Sequence, residues 1–392
     1  MCGHRGYLFL LGRYRIGRHR NIRLDHEHSR LLQILSAVLS EVLLQEFQKG
    51  CDREPDLTAM RATRWGICTA GKISHDFCGA IRALPSAEHQ ITAVAARCLE
   101  DAQSFAAFFS IPRAYGSYEE LAQDDDVDVI YVATIHPYHH AVCRLFLQNN
   151  RNILCEKPLT LSLLGTQELL AEAQARRLFF MEGYWSRCFP VYDRIRQELR
   201  KGTLGDVRLV IANICLPLDD VPRIRQKCLG GGGLMDIGCY AVQAANIVFP
   251  GKPEKIEVQG SFFEEGVDAG GSITLRYSGG GLASLCYHTA VADGCNRLAI
   301  MGSKGNIVVP GHFWCPDRLL TPSGEQVYPF PEFTFDFLFD NSIGFIYEIN
   351  CVRECLTKGY TESPVMPHED TETIMYILEE IQRQLGVSYD FP

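Results

Sequence analysis

From residue 64 onward, short apolar runs alternate with stretches of helical periodicity, and this alternation limits the possible folds more than any other feature of the chain. The runs lie at 65–70, 90–96, 127–134, 152–156 and 178–182, with helical stretches at about 74–84, 99–109, 138–148 and 162–175 between them. Strands and helices taken in turn build a parallel sheet covered on both faces by helices. Ligands of such sheets bind outside the carboxyl ends of the strands. The fourth run ends in Cys155-Glu156-Lys157-Pro158, so a lysine is expected to face that cleft.

After Phe189-Pro190 the pattern changes. A helix over 191–201 leads to a strand near 207–215, a Gly-rich turn and a helix over 234–248. Strand-like runs follow near 255–263, 272–277, 281–290, 297–301 and 305–309, and helices near 342–356 and 371–385 close the chain. Consecutive strands joined by Gly-rich turns pair antiparallel. With 392 residues, two cores are expected, because single cores stop growing near about 250 to 300 residues.

Residues 1–59 read as a separate extension. Six arginines, Arg5 to Arg23, precede the first acid, Asp25. An Arg-rich, acid-poor start followed by an amphipathic stretch fits an organelle transit sequence, but Ser and Ala are sparse. A disordered tail, or an upstream stretch before a start at Met60, is the preferred reading. The chain is thus divided into 1–59 as extension, 60–183 as a dinucleotide-binding domain and 184–392 as a substrate-binding and dimerisation domain.

The net charge of -9 supplies no basic field for nucleic acid, and no apolar run is long enough to span a bilayer. The sixteen cysteines are scattered singly through apolar segments, as in a reducing compartment. None has zinc-site spacing, so no metal is expected. A cytoplasmic location follows as the expectation.

The first strand leads into Thr69-Ala70-Gly71-Lys72-Ile73-Ser74 and then a helix. A Rossmann turn places a pyrophosphate on such a helix N-terminus. Against G-x-G-x-x-G only the middle glycine is present, so an ordinary strand-to-helix turn is the competing reading. Position at the head of an α/β domain favours the nucleotide, with Thr69, Gly71, Lys72 and Ile73 as its cradle. The second strand ends at Arg97, where an acid would hold ribose hydroxyls and an arginine accommodates a 2′-phosphate. NADP is therefore expected over NAD. A solvated arginine is the plainer reading of the same residue.

Lys157 alone is no more than a lysine before a proline turn. The segment Gly230-Gly231-Gly232-Gly233-Leu234-Met235-Asp236-Ile237-Gly238-Cys239-Tyr240 supplies partners, because Asp236 and Tyr240 are four apart and share a helix face. Oxidising an alcohol needs a base for the hydroxyl proton, and a free tyrosine, with a pKa of about 10, is a poor one at neutral pH. A nearby ammonium is expected to lower that pKa. Without Lys157, Tyr240 would read as a core tyrosine.

These residues resemble the Gfo/Idh/MocA oxidoreductases. Glu156-Lys157-Pro158, the segment from Thr134 to His139, and Asp236 with Tyr240 after a Gly-rich turn carry the resemblance, which extends from about residue 60 to the C-terminus. It implies an α/β protein: a Rossmann-type, doubly wound parallel sheet followed by an α+β domain with a largely antiparallel open sheet. The chain is most like members that use NADP to oxidise a cyclic vicinal diol or an aldose such as D-xylose. It implies that Lys157 and Tyr240 are catalytic with Asp236 assisting, and that Thr134, His136 and Glu156 join the cofactor site. It also implies that Trp185 and Phe339 line the substrate pocket, and that Arg208 lies at a homodimer interface. In those members a second arginine follows four after the position of Arg97, where this chain has Asp101, and a pocket aromatic is replaced by Ile214. An NAD(H)-using sugar or inositol dehydrogenase and a non-catalytic NADP-binding regulator are the competing readings.

Overall fold

Strand β1 (Thr63–Cys68) is buried on both faces, with Trp65 and Ile67 packed into one hydrophobic layer and Cys68 into another. Helices on both sides of a parallel sheet produce this pattern. The computed structural model describes residues 61–392 except 293, 295, 390 and 392; the extension read at 1–59 lies outside the described residues.

From β1 the chain continues through α1 (Lys72–Arg82), β2 (His89–Ala95), α2 (Leu99–Phe109), β3 (Arg113–Tyr115) and α3 (Tyr118–Ala122). Then come β4 (Val129–Val132), α4 (His139–Gln148), β5 (Asn152–Glu156), α5 (Leu163–Arg176) and β6 (Phe180–Gly183). All six strands are parallel, in the order β3-β2-β1-β4-β5-β6. The sheet has one strand more than the five apolar runs foretold. Three-residue β3 is too short for a periodicity signal, and all of its residues are only partly buried. The order reverses between β1 and β4, which opens the crevice in which such sheets bind ligands.

The second sheet is built after α6 (Pro190–Lys201) from β7 (Val207–Cys215), followed by α7 (Pro222–Arg225) and α8 (Cys239–Val248). Strands β8 (Lys255–Phe262), β9 (Asp268–Arg276), β10 (Leu282–His288), β11 (Leu298–Gly302), β12 (Gly305–Val309), β13 (Arg318–Thr321) and β14 (Gly324–Val327) complete it. Helices α9 (Phe345–Thr357) and α10 (His368–Leu385) follow. The order is β14-β13-β12-β11-β7-β10-β9-β8, antiparallel throughout except for the parallel pair β7 and β10. The expected largely antiparallel sheet is therefore present. The parallel pair arises because α8 and the β8–β9 hairpin intervene before β10 returns beside β7.

Helix α8 is buried on nearly every side, so Cys239 to Ala245 is mostly small or apolar, with Gln243 as its one polar residue. It begins in a single π turn, Leu234–Gly238, rather than as the uninterrupted helix the sequence suggested. Such turns insert an extra residue into the helix and shift every following side chain around the axis.

Arg187 ties the turn after β6 to α8 and α10. It is 1% exposed, and its guanidinium donates to Gln243 Oε1 (3.2 Å), Asn246 Oδ1 (2.7 Å), Val365 O (3.2 Å) and Asp370 Oδ2 (2.6 Å). Breaking a buried ion pair of this kind costs about 3–5 kcal/mol. The turn Trp185–Cys188, which carries Trp185, is thereby fixed against α8 and α10.

Candidate active site

The carboxyl ends of β1, β4, β5 and β6 open into a cleft of ≈ 580 Å³ whose far wall comes from residues 214–240 and 314–345. At the end of β1 the chain turns through Thr69, whose φ of 97° is in the region that favours glycine. Its hydroxyl donates to Ala133 O at 3.1 Å and so ties the turn to β4. Gly71 then starts α1 without any side-chain cap. The first helical N–H groups are left for another acceptor. A Cβ on Gly71 would meet only Thr69 Oγ1, at 3.5 Å, so the space in front of this helix end is open. A bare helix N-terminus at the reversal point of a doubly wound sheet fits the diphosphate of a nicotinamide dinucleotide.

Gly71, Lys72, Ile73, Thr134, His136, Glu156 and Lys157 all line the cleft, as do Trp185, Asp236, Tyr240 and Phe339. Thr69 stands behind the lining. Arg97 is exposed at the end of β2 and Asp101 is exposed in the first turn of α2; neither belongs to the cleft wall. Arg208 is elsewhere, on β7, paired with Asp206 at 2.8 Å and bonded to Gly279 O at 3.2 Å.

Lys157, Asp236 and Tyr240, from two distant parts of the chain, converge. The Lys157 ammonium donates to the backbone oxygen of Asp236 at 2.7 Å and lies 4.6 Å from the centre of the Tyr240 ring. Ammonium over an aromatic face is an attractive contact. The Asp236 carboxylate accepts from Arg223 at 2.6 Å. Burial opposes ionisation of Asp236, but Arg223 and then Lys157 outweigh it and hold the carboxyl below its ordinary value.

Tyr240 departs from expectation. Its pKa is pushed well above the ordinary value, first by burial and then by the Glu156 carboxylate. The lysine that was to lower it sits against the ring face and spends one N–H on Asp236. In this state the Tyr240 proton stays on the phenol.

Glu156 is itself raised by burial, opposed by Lys157 and by the Tyr131 hydroxyl, which donates to it at 2.7 Å. His136 bonds Gly230 O at 2.6 Å, stapling β4 to the Gly-rich turn, and burial lowers its pKa to about 3. His139 lies between Thr134 O (2.8 Å) and Pro158 O (3.0 Å) and is lowered to about 4, burial outweighing the two carbonyls. Both histidines are therefore neutral and structural in this state. The Lys157–Pro158 peptide is cis.

Sequence reasoning missed Arg223, Trp314, Leu338 and Asp340, which also line the cleft. The task of Arg223 depends on Asp236, thirteen residues away across a loop.

A family model described as an oxidoreductase family with an NAD-binding Rossmann fold matches residues 63–184, and a GFO/IDH/MocA C-terminal domain matches 192–308. Trans-1,2-dihydrobenzene-1,2-diol dehydrogenase of Xenopus tropicalis is 47% identical over 329 residues, covering 84% of this chain and 99% of that protein. The enzyme of the same name from Homo sapiens is 43% identical over 329 residues, covering 84% and 98%. Among solved structures, aldose-aldose oxidoreductase from Caulobacter crescentus superposes with a TM-score of 0.71 at 21% identity, covering 83% of this chain and 98% of that one. Levoglucosan dehydrogenase in complex with NADH and levoglucosan gives 0.73 at 17% identity, with coverage of 83% and 98%. A 3-ketoreductase from Actinomadura kijaniata with NADP gives 0.69 at 24% identity, again covering 83% and 98%.

Proposed function

The chain belongs to the Gfo/Idh/MocA oxidoreductase family, and from that premise we propose that it is an NADP-dependent dehydrogenase of a cyclic vicinal diol, such as the trans-dihydrodiol of an aromatic, or of an aldose such as D-xylose. The observation that carries the reading is the convergence of Lys157, Asp236 and Tyr240 in the cleft before the bare N-terminus of α1. The relatives named as dihydrodiol dehydrogenases support the substrate class.

A nicotinamide cofactor, when bound, takes hydride from the alcohol carbon in oxidation and returns it in reduction. Gly71, Lys72 and Ile73 would hold its diphosphate, and Thr134, His136 and Glu156 its nicotinamide end. Tyr240 handles the proton. In reduction the phenol O–H gives its proton to the oxygen of the new alcohol, and in oxidation the same oxygen must first be ionised to receive it. The Lys157 ammonium, 4.6 Å from the centre of the Tyr240 ring, supplies positive charge at the site to stabilise the developing charge in either direction. Arg223 and Asp236 hold Lys157 in place. The aromatic faces of Trp185 and Phe339 suit a flat ring or the apolar side of a sugar.

Arg97 supports NADP, since a guanidinium pairs bidentately with a 2′-phosphate. Asp101, four residues on in the first turn of α2, favours the second reading, an NAD(H)-using sugar or inositol dehydrogenase. We place a homodimer contact on the outer face of the second sheet, where Leu282 and Val327 are 40% and 49% exposed and Arg208 stands on the central strand β7. The residue division 60–183 and 184–392 and a cytoplasmic location are part of the same reading. NADP⁺ reduction followed at 340 nm with a benzene trans-dihydrodiol, D-xylose and D-glucose tests it. Turnover of at least the diol or the pentose is expected, and NAD⁺-only turnover of a sugar would favour the second reading.

A further inference from the structure

Phe339, Leu338 and Asp340 form the outer wall of the cleft, yet they lie on a strap, residues 328–341, that is anchored to the nucleotide-binding helix. Leu338 N donates to Asp76 Oδ1 (2.9 Å) and Oδ2 (3.1 Å), and Phe339 N donates to Asp76 Oδ2 (2.9 Å). Asp76 is 0% exposed and sits one turn into α1, the helix whose first residues line the same cleft. His75 Nδ1 is its other polar neighbour, at 3.0 Å. A carboxylate accepting several backbone N–H groups is held strongly and in a set direction.

A second anchor lies one helical turn further along. Phe335 rests on Gly79, where a Cβ would strike its ring, and packs against His75 with ring centroids 5.0 Å apart. At the end of the strap Asn341 Nδ2 donates to Cys315 O at 2.9 Å. Leu338 and Phe339 remain 52% and 48% exposed on the cleft side, apolar surface with nothing from the described residues over it.

We propose that Asp76 is the positioning residue that sets the substrate wall, fixing Leu338 and Phe339 at the height at which a ring-shaped substrate is clamped against Trp185. This rests on the diol dehydrogenase reading above. Asp76 is not itself part of the cleft lining. It transmits the position of α1 to the pocket through two backbone amides, so the wall moves with the helix that holds the cofactor. A misplacement of about 1 Å in such a wall is enough to lower turnover efficiency sharply.

The test uses the full chain and the variants Asp76→Ala, Asp76→Asn and Gly79→Ala. Hydrogen exchange of residues 333–341, Michaelis constants for the diol and NADPH fluorescence titrations are measured for each. Asp76→Ala is expected to speed exchange at Leu338 and Phe339 and to raise the diol KM roughly tenfold, the loss expected for buried donors left without acceptors. NADPH affinity should hold and kcat should fall much less. Asp76→Asn keeps one acceptor oxygen and should fall between. Gly79→Ala favours the helix by propensity and leaves the carboxylate intact, yet should raise the diol KM by lifting Phe335. Faster exchange with an unchanged diol KM, or equal losses in kcat, KM and NADPH affinity, overturns the proposal. Should the wild type bind the diol, seen as tryptophan quenching, without turning it over, the functional reading falls and the same comparison is read in diol affinity. Binding of the pentose without the diol moves the same comparison to the pentose KM, and absence of any binding of diol or pentose overturns both.

Discussion

Arg223 and Asp236 form a 2.6 Å ion pair at the wall of the cleft, and the backbone oxygen of the same Asp236 receives the Lys157 ammonium at 2.7 Å. The position of the lysine therefore depends on a residue that reaches it only through another. Replacing Arg223 with Met keeps the side-chain volume but leaves the Asp236 carboxylate without its guanidinium. The expected result is a fall of roughly ten- to a hundredfold in kcat/KM, the scale of a small misplacement of catalytic groups. Steady-state kinetics beside NADPH titration check this, with cofactor affinity nearly unchanged.

Burial and Glu156 raise the Tyr240 pKa above its ordinary value, so the phenol is neutral through the physiological range. With Tyr240 in its proposed role, reduction consumes that proton and should be level with pH until the phenol ionises. Oxidation requires the ionised form and should climb through alkaline pH without a plateau near neutrality. Removing the neighbouring negative charge with Glu156→Gln should shift the rise to lower pH. Rate profiles of both directions, measured from pH 6 to about 10.5, check the sign.

His136 and His139 have folded-state pKa values of about 3 and about 4, below the value of about 6.5 for an unfolded imidazole. The unfolded chain therefore binds these protons first. Stability is fully present above about pH 6.5 and is lost as pH falls from there toward the folded values. At pH 5.5 each histidine should have lost about 1.4 kcal/mol of its contribution. Urea midpoints between pH 7.5 and 4.5 should show the slope, and His139→Gln should flatten it.

Arg97 and Asp101 are both exposed at the start of α2, where a 2′-phosphate would lie. Arg97→Ala should raise the KM for NADP roughly tenfold or more and leave that for NAD nearly unchanged, because only NADP carries the phosphate. Asp101→Arg should strengthen NADP binding by removing a like charge. Equal effects on both cofactors would remove Arg97 from the site.

Much of this protein was legible in its sequence because its signals are local. The alternation from residue 64 encodes the parallel sheet, since central strands such as β1 are buried on both faces. Lys157 was found because a lysine ends a strand, and Tyr240 because it follows four glycines. What escaped notice depends on tertiary context. Strand β3 exists only by pairing with β2, and the parallel pairing of β7 with β10 spans an intervening helix and hairpin. The π turn at Leu234–Gly238 has no signature beyond the glycines that precede it and Gly238. Arg223 and Asp76 act on residues thirteen and more than two hundred and sixty positions away. The expected lowering of the Tyr240 pKa failed because burial and Glu156 act on the phenol more strongly than Lys157, which lies over the ring face.

The central claim is that Tyr240 carries the proton while the cofactor carries hydride, and Tyr240→Phe tests it most directly. NADPH formation from the best diol or pentose substrate should fall by about a hundredfold or more, the scale of a lost general acid–base, while NADPH fluorescence titration still gives wild-type affinity. Turnover within a few fold of wild type would contradict the account.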